Sequence, residues 1–144
     1  MPEILIKKYV RYFFGISIVI FILNKIYLRP LVLKNNLSEF FQTIVLSIPN
    51  LIEAIIGTLI LTGILLQVRQ YFNEKTGHIK DTYIHLIALS LSSFYVISQE
   101  LKFHNLGGNN VYDPYDLIAS IIGLTMTFGV IQVFGFADKL EKNK

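Results

Sequence analysis

The sequence has no cysteine and no tryptophan, and only 16% of its 144 residues are charged. The missing cysteine excludes disulfide bonds, thiolate metal ligands and catalytic thiols. Glycine-rich phosphate-binding loops, G-x-S-x-G nucleophile motifs and H-E-x-x-H zinc motifs are also absent from the sequence. We therefore expect no cofactor, and no common signature of catalysis is present.

What the sequence has instead is hydrophobic residues in long runs. They make up 53% of the chain, and the mean hydropathy is +0.53. A helix needs roughly 20 apolar residues to cross the hydrocarbon core of a bilayer. We predict an all-α fold, a polytopic membrane four-helix bundle that forms a single domain in the lipid bilayer. Its four spans are predicted at residues 11–28, 50–68, 82–99 and 117–137.

Pro49 lies in an apolar stretch that is too long for a single span. Residues 37–70 would form about 50 Å of helix at about 1.5 Å per residue. Proline lacks a backbone N–H and disfavours helix in the residue before it. We therefore predict that residues 37–48 form a short interfacial or re-entrant helix ahead of the second span. The alternative is that Pro49 only kinks one long tilted helix.

Lysine and arginine residues predict how the chain is oriented. With four spans, the termini and the middle loop share one side and carry nine of the 13 basic residues, and the other side carries four. The positive-inside rule then places both termini in the cytoplasm of a bacterium, with a multi-pass protein in the inner membrane. No nucleic-acid partner is expected, because the basic residues form short clusters beside the spans. No small-x-small cleavage site follows the first span, so we expect it to be retained.

Acidic residues lie at the predicted outer ends of three spans. Small and polar residues follow them at helical spacing, and such stripes are expected to face one another because lipid-facing positions disfavour them. The stripes are Asn50, Glu53 and Gly57; Ser90, Ser93, Glu100 and His104; and Asp116, Ser120, Gly123 and Thr127. We predict an outward-facing acidic pocket whose ligand-binding residues are Glu53, Glu100, Asp113, Asp116, Asn50 and Ser120.

Each acid also has a purely structural explanation. Asp113 can cap a helix that begins at Pro114, and Asp116 falls in the first turn, where the helix dipole favours an acid. Glu100 can be a solvated residue at a helix end, and Glu53 can pair with a basic residue of a neighbouring helix to fix its packing.

A metal site is not predicted, although Glu100 and His104 are spaced i, i+4. One histidine accompanied by carboxylates on a loop is too weak a pattern to define a ligand set.

Three short motifs resemble the VanZ-like family of small bacterial membrane proteins. They are PNLIEA at residues 49–54, SQE at residues 98–100 and VYDPYDLIASIIG at residues 111–123. The resemblance covers about three helices, and the chain lacks the arginine that often precedes the paired aspartates in that family. It implies a role in the cell envelope, linked in some members to glycopeptide antibiotic resistance, with no agreed molecular activity.

These observations lead us to expect a VanZ-like envelope protein that binds a polar or cationic ligand, such as a lipid or cell-wall precursor headgroup. One alternative is an accessory or structural subunit of a membrane complex, such as a transporter partner or an immunity protein, whose acids pair with the partner's basic residues. A second alternative is a carboxylate-dependent membrane enzyme. A homo-oligomer is compatible with each of these expectations.

Overall fold

Four helices dominate residues 4–35, 37–72, 78–101 and 113–138, which the computed structural model describes. An all-α fold is therefore confirmed. The first helix contains α-helical Lys8–Leu23, a π-helical turn at Asn24–Leu28 and α-helical Arg29–Lys34. The helices are α1 (Lys8–Lys34), α2 (Glu39–Tyr71), α3 (Asp81–Glu100) and α4 (Pro114–Phe134).

A small antiparallel strand pair, which the sequence did not predict, joins β1 (Leu5–Ile6) to β2 (Ala137–Asp138). The helix α4 therefore ends at Phe134, although the fourth span was predicted to continue to residue 137. Gly135 ends the helix with a φ of 72°, a backbone conformation that glycine adopts without strain. The hydroxyl of Tyr9 donates a hydrogen bond to the Gly135 carbonyl and holds this turn against α1.

Three of the described helices, α1, α2 and α4, are long and apolar enough to cross a membrane. This agrees with a membrane protein. The helix α3 forms where the third span was predicted, at residues 82–99, but it is not among the three. Serines and His85 interrupt its apolar surface, which makes α3 the most polar member of the proposed four-span bundle.

The central helix is α2, which packs against α1, α3 and α4. Its buried side chains Ile52, Ile55, Leu59 and Leu66 form the middle of the main apolar core, and Ile131 of α4 joins them. Every other helix is therefore positioned by its contact with α2.

Small residues bring α2 and α4 close together. Ala54 and Thr58 on α2, together with Gly123 and Thr127 on α4, are buried. The two threonine hydroxyls donate hydrogen bonds to carbonyls one turn earlier in their own helices, so they are satisfied without a partner helix. A Cβ atom added at Gly123 would lie 2.5 Å from the Leu51 carbonyl oxygen. The two backbones can approach this closely because position 123 has no side chain.

Pro49 does not interrupt α2, which is continuous from Glu39 to Tyr71. The separate helix predicted at residues 37–48 is therefore wrong, and the alternative of one long helix is what the structure shows. Pro49 has no N–H to donate to the carbonyl of Val45, four residues earlier. The side-chain amide of Asn24, fully buried in the π-helical turn of α1, donates to that carbonyl at 3.0 Å. A neighbouring helix thus supplies the hydrogen bond that proline removes.

Candidate functional site

Four acidic side chains lie together at one end of the packed helices. Glu53 is on α2, Glu100 ends α3 just after the predicted third span, and Asp113 and Asp116 are at the start of α4. Burial raises the pKa of the Glu100 carboxyl, and the neighbouring carboxylates of Asp116, Glu53 and Asp113 raise it further. The other three acids are therefore within electrostatic reach of Glu100, and we call the four residues the acidic cluster.

The first turn of α4 holds two of these acids in different ways. The Asp113 carboxylate accepts a hydrogen bond from the Tyr115 backbone N–H at 2.9 Å, and Pro114 follows at the first helical position. The cap explanation is therefore correct for Asp113, and a ligand-binding role for it stays a prediction. Asp116 is half-buried, and its Oδ1 atom is fully buried without a hydrogen-bond partner in the described part of the chain.

The two remaining predicted residues, Ser120 and Asn50, lie beside the acids. Ser120 is one turn further along α4 than Asp116, and it is completely buried. Its hydroxyl has no hydrogen-bond partner among the residues described. Asn50 is half-buried on α2, three residues before Glu53. Ser120 and Asn50 therefore each lie about one helical turn from an acid of the cluster, on the same helix as that acid.

A cavity of about 480 Å³ lies beside Glu53, between α1, α2 and α3. The Tyr95 hydroxyl donates a hydrogen bond to the Glu53 carboxylate at this cavity. Ser92 also borders it, is only 2% exposed, and has a hydroxyl without a partner in the described ranges. The other residues that line the cavity are apolar. They are Phe21, Ile52, Ile56, Gly57, Leu61 and Val96.

The buried polar face of α3 contains a different serine from the one that was predicted. Ser90 is exposed, whereas Ser92 is buried and borders the cavity. The sequence contained the signal, because Ser92, Val96 and Glu100 follow one another at intervals of four and share one helix face. Tyr95 was also missed, and it belongs to no motif of its own. The last predicted member of the stripe, His104, lies outside the described residues.

The opposite end of the packed helices carries the two ion pairs found among the described residues. Arg69 near the end of α2 pairs with Asp81 at the start of α3, and Lys7 pairs with Asp138 at 3.9 Å. Among the residues that the structure describes, no ion pair involves the acidic cluster, and no group of three or more histidine, aspartate and glutamate side chains could hold a metal ion. Within the described ranges, ion pairs are thus found at this end and not at the acidic cluster.

The fold and this site define an all-α protein with helices of membrane-spanning length and an acidic end beside a mostly apolar cavity. No family model, no curated protein and no solved structure matches the chain. The resemblance to the VanZ-like family rests on the three sequence motifs and stays a prediction. The acidic cluster and the cavity are therefore the features of the molecule that indicate its function.

Proposed function

We propose that this chain is a VanZ-like, multi-pass protein of the bacterial cytoplasmic membrane that binds a polar or cationic headgroup at the acidic cluster. In this proposal both termini lie in the cytoplasm and the acidic cluster faces outward, as the distribution of lysine and arginine predicts. The headgroup belongs to a lipid or to a cell-wall precursor.

The observation that supports the proposal most directly is the gathering of three carboxyl groups about Glu100, one of which, Asp116, has a buried oxygen without a partner in the described residues. Like charges at short range raise the free energy of the ionised cluster, and a buried carboxylate oxygen without a donor adds a desolvation cost. A cationic group that donates hydrogen bonds relieves both effects at once. The site is therefore complementary to a cation and repels anions.

An accessory or structural subunit is the second candidate, and the exposed tip of the α1–α2 hairpin favours it. Glu39 precedes Glu53 by 14 residues, which is about 21 Å of helix, so the hairpin extends well past Glu53. Its tip exposes large apolar side chains that a partner chain would cover, while the partner's basic residues would pair with the acids. The exposed side chains there include Phe40 and Phe41. Of the three candidate functions, a carboxylate-dependent enzyme has the least support.

We expect the headgroup ligand to be retained by the wild-type protein and lost from Glu53→Gln and Asp116→Asn. Both substitutions keep the side-chain shape and remove the charge. A hydrogen bond to a charged group contributes about 1.5–3 kcal/mol, so each variant should bind the ligand roughly 10- to 150-fold more weakly. The measurement is native mass spectrometry after gentle extraction from the protein's own membrane.

The matched control is Glu39→Gln, which removes an exposed carboxylate from the same helix α2 but outside the acidic cluster. It should retain the ligand at the wild-type level. A wild-type protein that carries no bound molecule would contradict headgroup binding. A second polypeptide retained equally by all four proteins would favour the accessory-subunit candidate instead.

A further inference from the structure

The cavity beside Glu53 extends along α2 and has the Glu53 carboxylate at one end, and we call it the slot. Gly57 and Leu61 follow Glu53 at intervals of four on α2, so the lining continues for about 12 Å away from the acidic cluster. On the other side, α3 runs antiparallel to α2 and contributes Val96 and Ser92 to the lining. The slot therefore begins at a carboxylate and continues between mostly apolar walls into the C-terminal half of α2.

We propose that this slot holds the alkyl chain of an outer-leaflet lipid whose headgroup carries a primary amine, with the ammonium bound by Glu53. This inference rests on the proposed function, and it names the class of ligand. The ammonium lies at the acidic cluster, and the chain follows the slot towards the centre of the membrane.

The polar groups at the slot match an ammonium. A carboxylate that faces apolar walls is costly unless it is paired and hydrogen-bonded. An ammonium group offers three N–H donors, and the two oxygens of the Glu53 carboxylate can accept from them.

The apolar walls explain why the ligand carries a chain as well as an amine. Most of the exposed lining is carbon, and a cavity of about 480 Å³ falls in the size range of small-molecule sites, roughly 300–1,000 Å³. A headgroup alone would leave this surface uncovered. An alkyl chain fills it without a polar group that needs a partner.

Gly57 offers a way to close the slot without disturbing the fold. A Cβ atom at this position meets no atom within 4 Å, so the space that a larger side chain would take is the slot itself. The matched control is Gly129 on α4, which is also clear of neighbours within 4 Å but lies on an exposed face away from the slot. Gly57→Leu should block the chain, Gly57→Ala should block it partly, and Gly129→Leu should leave it unaffected.

The test uses dodecylamine with a photoreactive diazirine at the end of its chain, added to the full-length protein in phosphatidylcholine nanodiscs. In the wild-type protein we expect labelling to concentrate at the slot residues Gly57 and Leu61 of α2. Labelling should fall about tenfold or more in Gly57→Leu and in Glu53→Gln, and by less in Gly57→Ala. The alcohol of the same chain length should label about tenfold less than the amine.

The variants separate failure of the slot from failure of the proposed function. Loss of labelling in Glu53→Gln with full labelling in Gly57→Leu would overturn the slot and leave headgroup binding in place. Loss in Gly57→Leu with full labelling in Glu53→Gln would overturn recognition of the amine. Equal labelling of Ile60 and Ile64, which are exposed on α2, in every variant would overturn both.

Discussion

Gly123→Ala is expected to lower the free energy of unfolding by about 1–3 kcal/mol, and Gly123→Leu to prevent α2 and α4 from packing stably. The new Cβ atom would lie 2.5 Å from the carbonyl oxygen of Leu51 and 3.1 Å from the Cβ atom of Ala54. Neither atom can rotate away, because one belongs to the backbone and the other to the shortest side chain. Thermal unfolding of the purified protein in detergent measures the effect.

Gly129→Ala is the control for the Gly123 variants, because it adds the same methyl group to the same helix. A Cβ atom at position 129 meets nothing within 4 Å. Alanine is more favourable than glycine in a helix by about 0.8–1.0 kcal/mol, so the stability should stay the same or rise. If the two alanine variants were destabilised equally, the close contact between α2 and α4 would be contradicted.

Asn24→Leu is expected to destabilise the protein by about 1–3 kcal/mol, the cost of a buried carbonyl that loses its donor. Leucine has a similar volume, so the substitution removes the amide donated to the Val45 carbonyl without opening a large cavity. Pro49→Ala should restore the backbone N–H that this carbonyl would receive in an ordinary helix. Asn24→Leu should therefore cost much less in a Pro49→Ala background.

A double-mutant cycle measures this dependence. We expect the two substitutions to be coupled by about 1 kcal/mol or more, because they act on the same carbonyl. Chemical unfolding of the wild type, the two single variants and the double variant supplies the four values. Strict additivity would show that Asn24 does not compensate for Pro49.

Hydropathy was sufficient to locate all four helices, because each is built around one long apolar run. It could not show that α2 continues through Pro49, since the compensating donor, Asn24, is 25 residues away in the sequence. It also missed the strand pair that ends α4, because two-residue strands carry no periodicity. In both cases a contact between distant parts of the chain decided the local structure.

The sequence predicted the buried face of α4 correctly and the buried face of α3 only in part, for a related reason. On α4, the small residues Ser120, Gly123 and Thr127 all lie on a single helix face, and all three are buried. On α3, serines at positions 90, 92 and 93 allow several faces, and the predicted face included the exposed Ser90. Only the packing against α2 distinguishes these faces, so the residues that border the cavity could not be chosen from the sequence of α3 alone.

The proposed site requires acids from three helices to lie close together. Distances between spin labels test this arrangement most directly. The chain has no cysteine, so pairs of introduced cysteines give clean labelling. Packed helices lie about 8–10 Å apart, so we expect dipolar broadening of the electron paramagnetic resonance spectrum for the pairs 53/100, 100/116 and 53/116. The pair 81/116 should show none, because Asp81 lies 19 residues, or about 28 Å of helix, from Glu100. Narrow spectra for the first three pairs, or broadening of the 81/116 pair, would contradict the arrangement.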